Sequence, residues 1–154
     1  MNDATWWNRD EAGVRVVPTD STVSVLRALP PTGLIHSARM RGREMHDSDA
    51  VFTHFYEALR LPDCFGWNWD ALRDFLTDLH WLNAKNVLVI IDDAHAVLSE
   101  SPGERGILFR ALKDTSKFWA EKPELPGQEK TVFQAVLLCP PEAQENMLHE
   151  LQKQ

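Results

Sequence analysis

Cysteine is scarce in this sequence, which contains only Cys64 and Cys139. The two lie far apart and form no CxxC pair. Structural zinc sites and thiol redox motifs usually bring their ligands or thiols together at short spacing. We therefore expect two reduced thiols, no metal site and no other cofactor.

Long apolar runs are also missing. No apolar stretch approaches the roughly 20 residues that a membrane-spanning helix needs, so we expect no membrane association. The N-terminal stretch MNDATWWNRDEAG carries acids and tryptophans, whereas a secretory signal has a basic region followed by an apolar one. These features predict a cytoplasmic protein.

The common catalytic motifs do not occur. The sequence has no GxxxxGK[ST] phosphate loop, no HExxH among its six histidines and no Gly-x-Ser-x-Gly nucleophile motif. Asp92 and Asp93 follow an apolar run, where α/β enzymes often hold ligands or magnesium. Because adjacent strand residues point to opposite faces, joint coordination by this pair is difficult. A small α/β enzyme that uses Asp92 and Asp93 remains an alternative hypothesis.

Positive charge is in deficit, with 16 lysines and arginines against 23 acids and a net charge of −7. The imbalance is concentrated in residues 61–100, which hold seven acids and two bases. This balance disfavours direct binding to nucleic-acid phosphates, which requires a basic surface. Clustered charge of one sign speeds the arrival of an oppositely charged partner, although a simply solvated surface would look the same.

The apolar pattern predicts one α/β domain with a short, mostly parallel sheet. NVLVII at 86–91 is a near-continuous apolar run, typical of a strand buried on both faces. A helix is expected after Asp47 or Ser48, either of which can cap it. Further helices are expected at 69–79, at about 106–119 and behind the prolines at 140–141. Strands are expected at about 34–40, 86–91 and 132–139.

The helical spacing of apolar residues also predicts which side chains form the core. The expected core residues come from the first two helices, the loop between them and the middle strand. They are Phe52, Phe55, Leu59, Phe65, Leu72, Phe75, Leu76 and Leu88.

The most informative stretch is GWNWDALRDFLTDL at residues 66–79. Asn68 is a suitable N-cap residue for a helix over 69–79. At 100° per residue, Asp70, Asp74 and Asp78 share the face opposite the apolar residues. Like charges four residues apart repel one another, so stability alone does not explain this face. Of the two flanking tryptophans, we expect one to anchor the core and the other to anchor an interface.

The longer stretch LPDCFGWNWDALRDFLTDLHWL resembles the signature of the barstar family, intracellular inhibitors of secreted ribonucleases. The family pattern is Leu-Pro, an aromatic pair, Gly-x-Asn-x-Asp-Ala-Leu and a second Asp four residues after the first; this sequence follows it except at Cys64, the first position of the aromatic pair. The resemblance covers about residues 33–140 and implies a three-stranded parallel sheet packed by helices. Residues 33–154 would then form the barstar-like domain. Residues 1–32 would be an N-terminal extension, in which GVRVVP is a candidate short strand.

The resemblance also implies a binding surface, formed by the second helix and the loop before it. In such inhibitors, acids of this helix take the place of RNA phosphates in the nuclease active site. Asp70 and Asp74 match the two family aspartates that meet that cationic site, while Gly66 and Asn68 match the loop against the enzyme. The expected partner-binding residues are Cys64, Gly66, Asn68, Asp70, Arg73, Asp74, Thr77 and Asp78.

Three positions depart from the family pattern. Cys64 stands where the best-known member has tyrosine, Arg73 where it has tryptophan, and Ala111 where it has a contacting glutamate. A basic Arg73 beside the acids suggests a partner with an acidic group of its own nearby. These departures predict a cognate enzyme that differs in detail or belongs to another nuclease family.

The leading hypothesis is therefore a non-enzymatic inhibitor of a basic ribonuclease or nuclease toxin, acting as a monomer or in a 1:1 complex. An acidic adaptor with the same fold and a non-nuclease partner is the alternative from another class.

Overall fold

In a computed structural model of the chain, residues 13–19, 35–123, 125–127 and 130–154 are described. Most of the predicted N-terminal extension, residues 1–12 and 20–32, lies outside them. The described ranges contain the sheet and helices that position the acidic segment.

The sheet has four parallel strands rather than the expected three. β2 (Ile35–Arg41) pairs with β3 (Asn86–Asp92), and β3 pairs with β4 (Val132–Cys139), close to the predicted boundaries. The additional strand is the candidate GVRVVP, which forms β1 (Gly13–Pro18) and pairs with β4. The order is β1-β4-β3-β2, so the extension adds an edge strand beyond β4.

The apolar runs form buried strands, as their composition predicts. All eight residues of β4 and the middle five of β3 are buried. Both strands have a neighbour on each side, which is the position in which a parallel strand is buried on both faces.

Four helices in the described ranges follow the predicted order. The first is α1 (Ser48–Ala58), and the Asp47 side chain caps it by accepting from the Ala50 N–H at 2.8 Å. The other three are α2 (Trp69–Leu76), α3 (Arg105–Glu121) and α4 (Gln144–Gln152).

Helix α2 ends three residues earlier than predicted. The N–H groups of Asp78 and Leu79 both bond to the Phe75 carbonyl, and Leu79 turns into the left-handed region with a φ of 53°. Leu79 is buried, so burial of its side chain fixes a turn that local sequence does not encode. Asp78 therefore lies in the turn after the helix.

Side chains from all four helices pack on one face of the sheet, against Val87, Val89 and Ile91 of β3. Most of the predicted core residues lie in this cluster. Two expectations need correction. Leu88 points to the opposite face, where it packs with other alternate strand residues, because successive strand side chains alternate. Phe75 is only partly buried and packs at the margin of the main cluster.

Candidate functional site

The loop before α2 is shaped by Asn68, the predicted N-cap. Its side-chain oxygen accepts from the Ala71 N–H at 2.8 Å, and its amide nitrogen donates to the Gly66 carbonyl at 3.0 Å. One side chain thus satisfies a free N–H group at the helix start and also closes the loop back on itself.

Gly66 lies close to this cap. A Cβ atom at Gly66 would stand 3.2 Å from the Asn68 amide nitrogen and 3.5 Å from the Ala71 Cβ. A larger residue would therefore press on the bond that shapes the loop. Cys64, two residues earlier, is exposed with a free thiol.

Asp70 and Asp74 lie one turn apart on α2, and both are exposed. Neither forms an ion pair with any described residue. Their Cβ atoms are expected to be about 5 to 6 Å apart, as for any residues at i and i+4 of a helix. The structure thus presents two unneutralised carboxylates side by side.

Asp78 does not share this arrangement. Because α2 ends at Leu76, Asp78 lies beyond the helix. A carboxylate oxygen of Asp78 lies 2.8 Å from the Nδ1 atom of His80, within hydrogen-bonding distance. The acidic face predicted over three turns is therefore an aspartate pair on the helix and a third aspartate in the following turn.

Arg73 is bound within the chain. Its guanidinium donates to the Asp114 carboxylate of α3, and Arg110 lies 3.9 Å from the same carboxylate. The charge of Arg73 thus has a partner within the chain, and the expectation that a binding partner places an acidic group nearby stays a prediction. This pairing depends on the approach of two helices and has no local sequence signal.

Ala111 is the position at which the best-known member of the family has a contacting glutamate. In this chain Ala111 is fully buried on α3, so its side chain is not available to a partner. On this helix the exposed charged groups nearest the α2 site are Arg110 and Asp114, both about half exposed or more.

Thr77 caps the C-terminal end of α2. Its hydroxyl lies 3.1 Å from the carbonyl oxygens of both Arg73 and Asp74. The side chain is half-buried, and its hydrogen-bonding capacity is used mainly to finish the helix.

A partly buried tryptophan and a buried one hold the back of the site. The Trp69 indole N–H donates to Glu104 at 2.9 Å, and its ring meets Phe52 edge-on at 5.0 Å. The Trp119 indole N–H donates to the last carbonyl of α2, that of Leu76, at 2.9 Å. These bonds fix both ends of α2 on the domain.

Trp67, by contrast, is 44% exposed. Trp69 thus packs at the edge of the core while Trp67 is exposed, and the expectation that one of the two anchors an interface stays a prediction. The Trp67 ring lies 5.2 Å from Tyr56 and 5.3 Å from Phe65. Sequence reasoning left Tyr56 out of the site, because it lies on α1 and reaches the loop only in the folded chain.

The two aspartates at the end of β3 are engaged in ion pairs. Arg39 binds both Asp92 oxygens at 2.7 and 2.9 Å, which raises the pKa of Arg39, and Arg43 lies 3.2 Å from Asp93. Within the described ranges, no group of three or more histidine, cysteine or acidic side chains is placed to hold a metal ion. Nor does any helix there have the length and apolar character needed to cross a bilayer.

These features define a small α/β domain that displays an acidic helix and an adjoining loop, held by the indole hydrogen bonds of Trp69 and Trp119 and by the side-chain cap of Asn68. A model of the family described as Barstar (barnase inhibitor) matches residues 35–137. This chain belongs to the barstar family. The match includes every site residue described above and begins after β1. Comparison with curated proteins finds no match to the chain.

Proposed function

We propose that this chain is a protein inhibitor of a basic ribonuclease, of the immunity or antitoxin type. It acts in the cytoplasm, without a cofactor, as a monomer that forms a 1:1 complex. The observation that carries the proposal is the exposed pair Asp70 and Asp74, unneutralised by described residues, on the segment that matches the barstar family.

The chemistry of the pair suits a nuclease active site. A site that cleaves RNA must hold phosphate groups and is therefore rich in cations. Carboxylates make the same paired, charge-assisted hydrogen bonds to guanidinium groups that phosphate oxygens make. Asp70 and Asp74 can thus occupy the positions of phosphates, and the inhibitor offers no bond that the enzyme can cleave.

The surrounding residues support this role in different ways. Gly66 and Asn68 set the shape of the loop, and exposed Cys64 lies at its edge. Thr77 and Asp78 extend the surface beyond the end of α2. Arg73 shapes partner choice indirectly, since its pairing with Asp114 keeps its charge directed toward α3.

Charge also governs the rate of association. Seven of the chain's 23 acids, but only two of its 16 lysines and arginines, lie in residues 61–100. A basic enzyme approaching this surface is attracted over a range of about 8 to 10 Å at physiological ionic strength. Association should therefore slow as salt concentration rises.

The test is inhibition of RNA cleavage by a panel of small basic ribonucleases, barnase included. The wild-type protein should block one of them stoichiometrically. Asp74→Ala should weaken that complex by at least about 2 kcal/mol, mainly through faster dissociation, because it leaves cationic groups of the enzyme desolvated without a partner.

Glu145→Ala is the matched control, since it removes one exposed acid from α4 and should leave affinity nearly unchanged. Equal affinity of wild-type and Asp74→Ala protein, with no salt effect on association, would remove the acidic helix from the mechanism. Failure to inhibit any ribonuclease, together with tight binding to a basic protein that is not a nuclease, would establish the adaptor alternative.

A further inference from the structure

Trp67 combines two unfavourable features. Its backbone is left-handed, with a φ of 52°, and its large apolar side chain is 44% exposed. A bulky residue with positive φ is a genuine outlier, and glycine or asparagine would adopt this conformation at less cost. Such a residue indicates a role outside folding.

The other described non-glycine residues with positive φ have ordinary explanations. Leu79 and Leu98 are buried, so packing holds them in place. Arg60 follows the C-cap of α1, where a left-handed residue is common. The remaining two are Asn83 and Asp93, both of residue types that tolerate this region. Trp67 is the exception, because it is not fully buried, does not follow a helix and is not a residue type that tolerates this region.

The ring is held in place before any partner arrives. Tyr56 and Phe65 lie against it at 5.2 and 5.3 Å. Phe65 is buried, and the Tyr56 hydroxyl donates to Asp63 at 2.6 Å. We call Tyr56, Phe65 and Trp67 the aromatic platform. Because the indole is already fixed, little conformational entropy is lost when a partner stacks on it.

One carboxylate contacts the platform, and a second lies close to it in the sequence. Asp63 is bound to Tyr56, and Asp70 follows Trp67 within the first turn of α2. The face of a tryptophan ring is the most favourable of the aromatic sites for a cation, and nearby acids strengthen that attraction. The negative charge of these acids and the ring of Trp67 thus both favour binding of a cation.

We propose that Trp67 is the aromatic anchor of the partner interface and stacks on the guanidinium of an arginine in the basic partner. Asp70 accepts hydrogen bonds from that arginine. This inference rests on the proposed function and specifies the chemistry of its partner. Arginine fits better than lysine because its planar group can stack on a ring and donate to a carboxylate at the same time.

The first measurement uses the ribonuclease that the wild-type protein inhibits. Trp67→Ala should raise the dissociation constant about tenfold or more, through faster dissociation, since the substitution changes no charge. Trp67→Phe keeps a ring and should stay within about threefold of wild type. Leu148→Ala, which truncates an exposed apolar residue on α4, is the control and should bind as wild type.

The second measurement needs no nuclease. The indole N–H resonance of Trp67 can be identified by its loss in Trp67→Phe and then followed during titration with hexa-arginine or hexa-lysine peptide. Hexa-arginine should shift this resonance more than hexa-lysine, and Asp70→Asn should reduce the difference.

The two measurements separate the possible failures. If a ribonuclease is inhibited but Trp67→Ala binds as tightly as wild type, the anchor is wrong and the proposed function stands. If no ribonuclease is inhibited but arginine shifts Trp67 selectively, the proposed function is wrong and the arginine site stands. Equal shifts with both peptides would overturn arginine stacking.

Discussion

Arg73 on α2 donates to the carboxylate of Asp114 on α3. The contact joins the helix that carries the acidic pair to the longest helix of the domain. It also places the positively charged Arg73 between the acids of α2 and the charged residues of α3. The position of this charge determines how much positive charge a binding partner encounters.

The pair should contribute little to stability, because both side chains are 40% exposed or more. A double-mutant cycle with Arg73→Ala, Asp114→Ala and the double variant should give a coupling energy of about 0.2 to 1 kcal/mol. Urea unfolding measures it. Strict additivity of the two substitutions would show that the contact contributes nothing measurable to stability.

The same substitutions should affect association with a basic partner more than they affect stability. Asp114→Ala removes a negative charge and frees Arg73 beside Asp74, so a basic partner should associate more slowly. Arg73→Ala has the opposite effect on net charge and should speed association.

Burial predicts an order of stability for two neighbouring core positions. Leu72 is fully buried, whereas Phe75 lies at the margin of the core. Leu72→Ala should cost about 3 kcal/mol, and Phe75→Ala should cost less than the roughly 3 to 5 kcal/mol of a fully buried phenylalanine. Chemical denaturation of both variants tests this order, and a larger loss for Phe75→Ala would contradict it.

The features that could be predicted from sequence are those set by nearby residues. The start of α2 depends on Asn68, which bonds to Gly66 and Ala71 within three residues. The end of α2 depends on burial of Leu79, and the facing of Leu88 depends on which side of the sheet the helices cover. These are set by distant parts of the chain, so local pattern could not supply them.

The residues of the candidate site also divide into those that local sequence predicts and those that depend on distant parts of the chain. The acids Asp70 and Asp74 were evident from helical spacing, because both lie on one short segment. The Arg73–Asp114 pair and the stacking of Tyr56 on Trp67 join different elements. Neither has a periodic signal, and both became visible only when the fold brought the elements together.

Tyr56 is the chain's single tyrosine, so its ionisation can be followed alone by ultraviolet absorbance. Its hydrogen bond to Asp63 and the negative charge of that carboxylate raise its pKa above the ordinary value of about 10. Asp63→Asn should lower the midpoint of phenolate formation toward that value. An unchanged midpoint would show that the bond does not form in solution.

The sign of the linkage follows from the direction of this shift. The pKa of Tyr56 is higher in the folded chain than in the unfolded chain. Any stabilisation from the bond is therefore fully present below about pH 10 and lost as pH rises through the folded pKa. Loss of the bond in Asp63→Asn should also loosen Trp67, which the indole N–H resonance of Trp67 would report.

The two cysteines should differ sharply in reactivity. Cys64 is exposed, whereas Cys139 is fully buried, and burial followed by the charge of Glu142 raises the pKa of the Cys139 thiol. A disulfide reagent should modify one thiol per folded chain quickly and the second only on unfolding. Cys64→Ser should abolish the fast reaction.

Modification of Cys64 then tests the position of the interface. Cys64 lies two residues before Gly66, on the loop that leads to Trp67 and the acidic pair. A bulky adduct there should obstruct a ribonuclease that docks on this loop, and reduction should restore inhibition. Cys64→Ser protein treated with the same reagent is the control. It should inhibit the ribonuclease as well as untreated Cys64→Ser protein does. Full inhibition by the labelled wild-type protein would place the bound enzyme away from the loop, on the C-terminal side of α2 near Asp78.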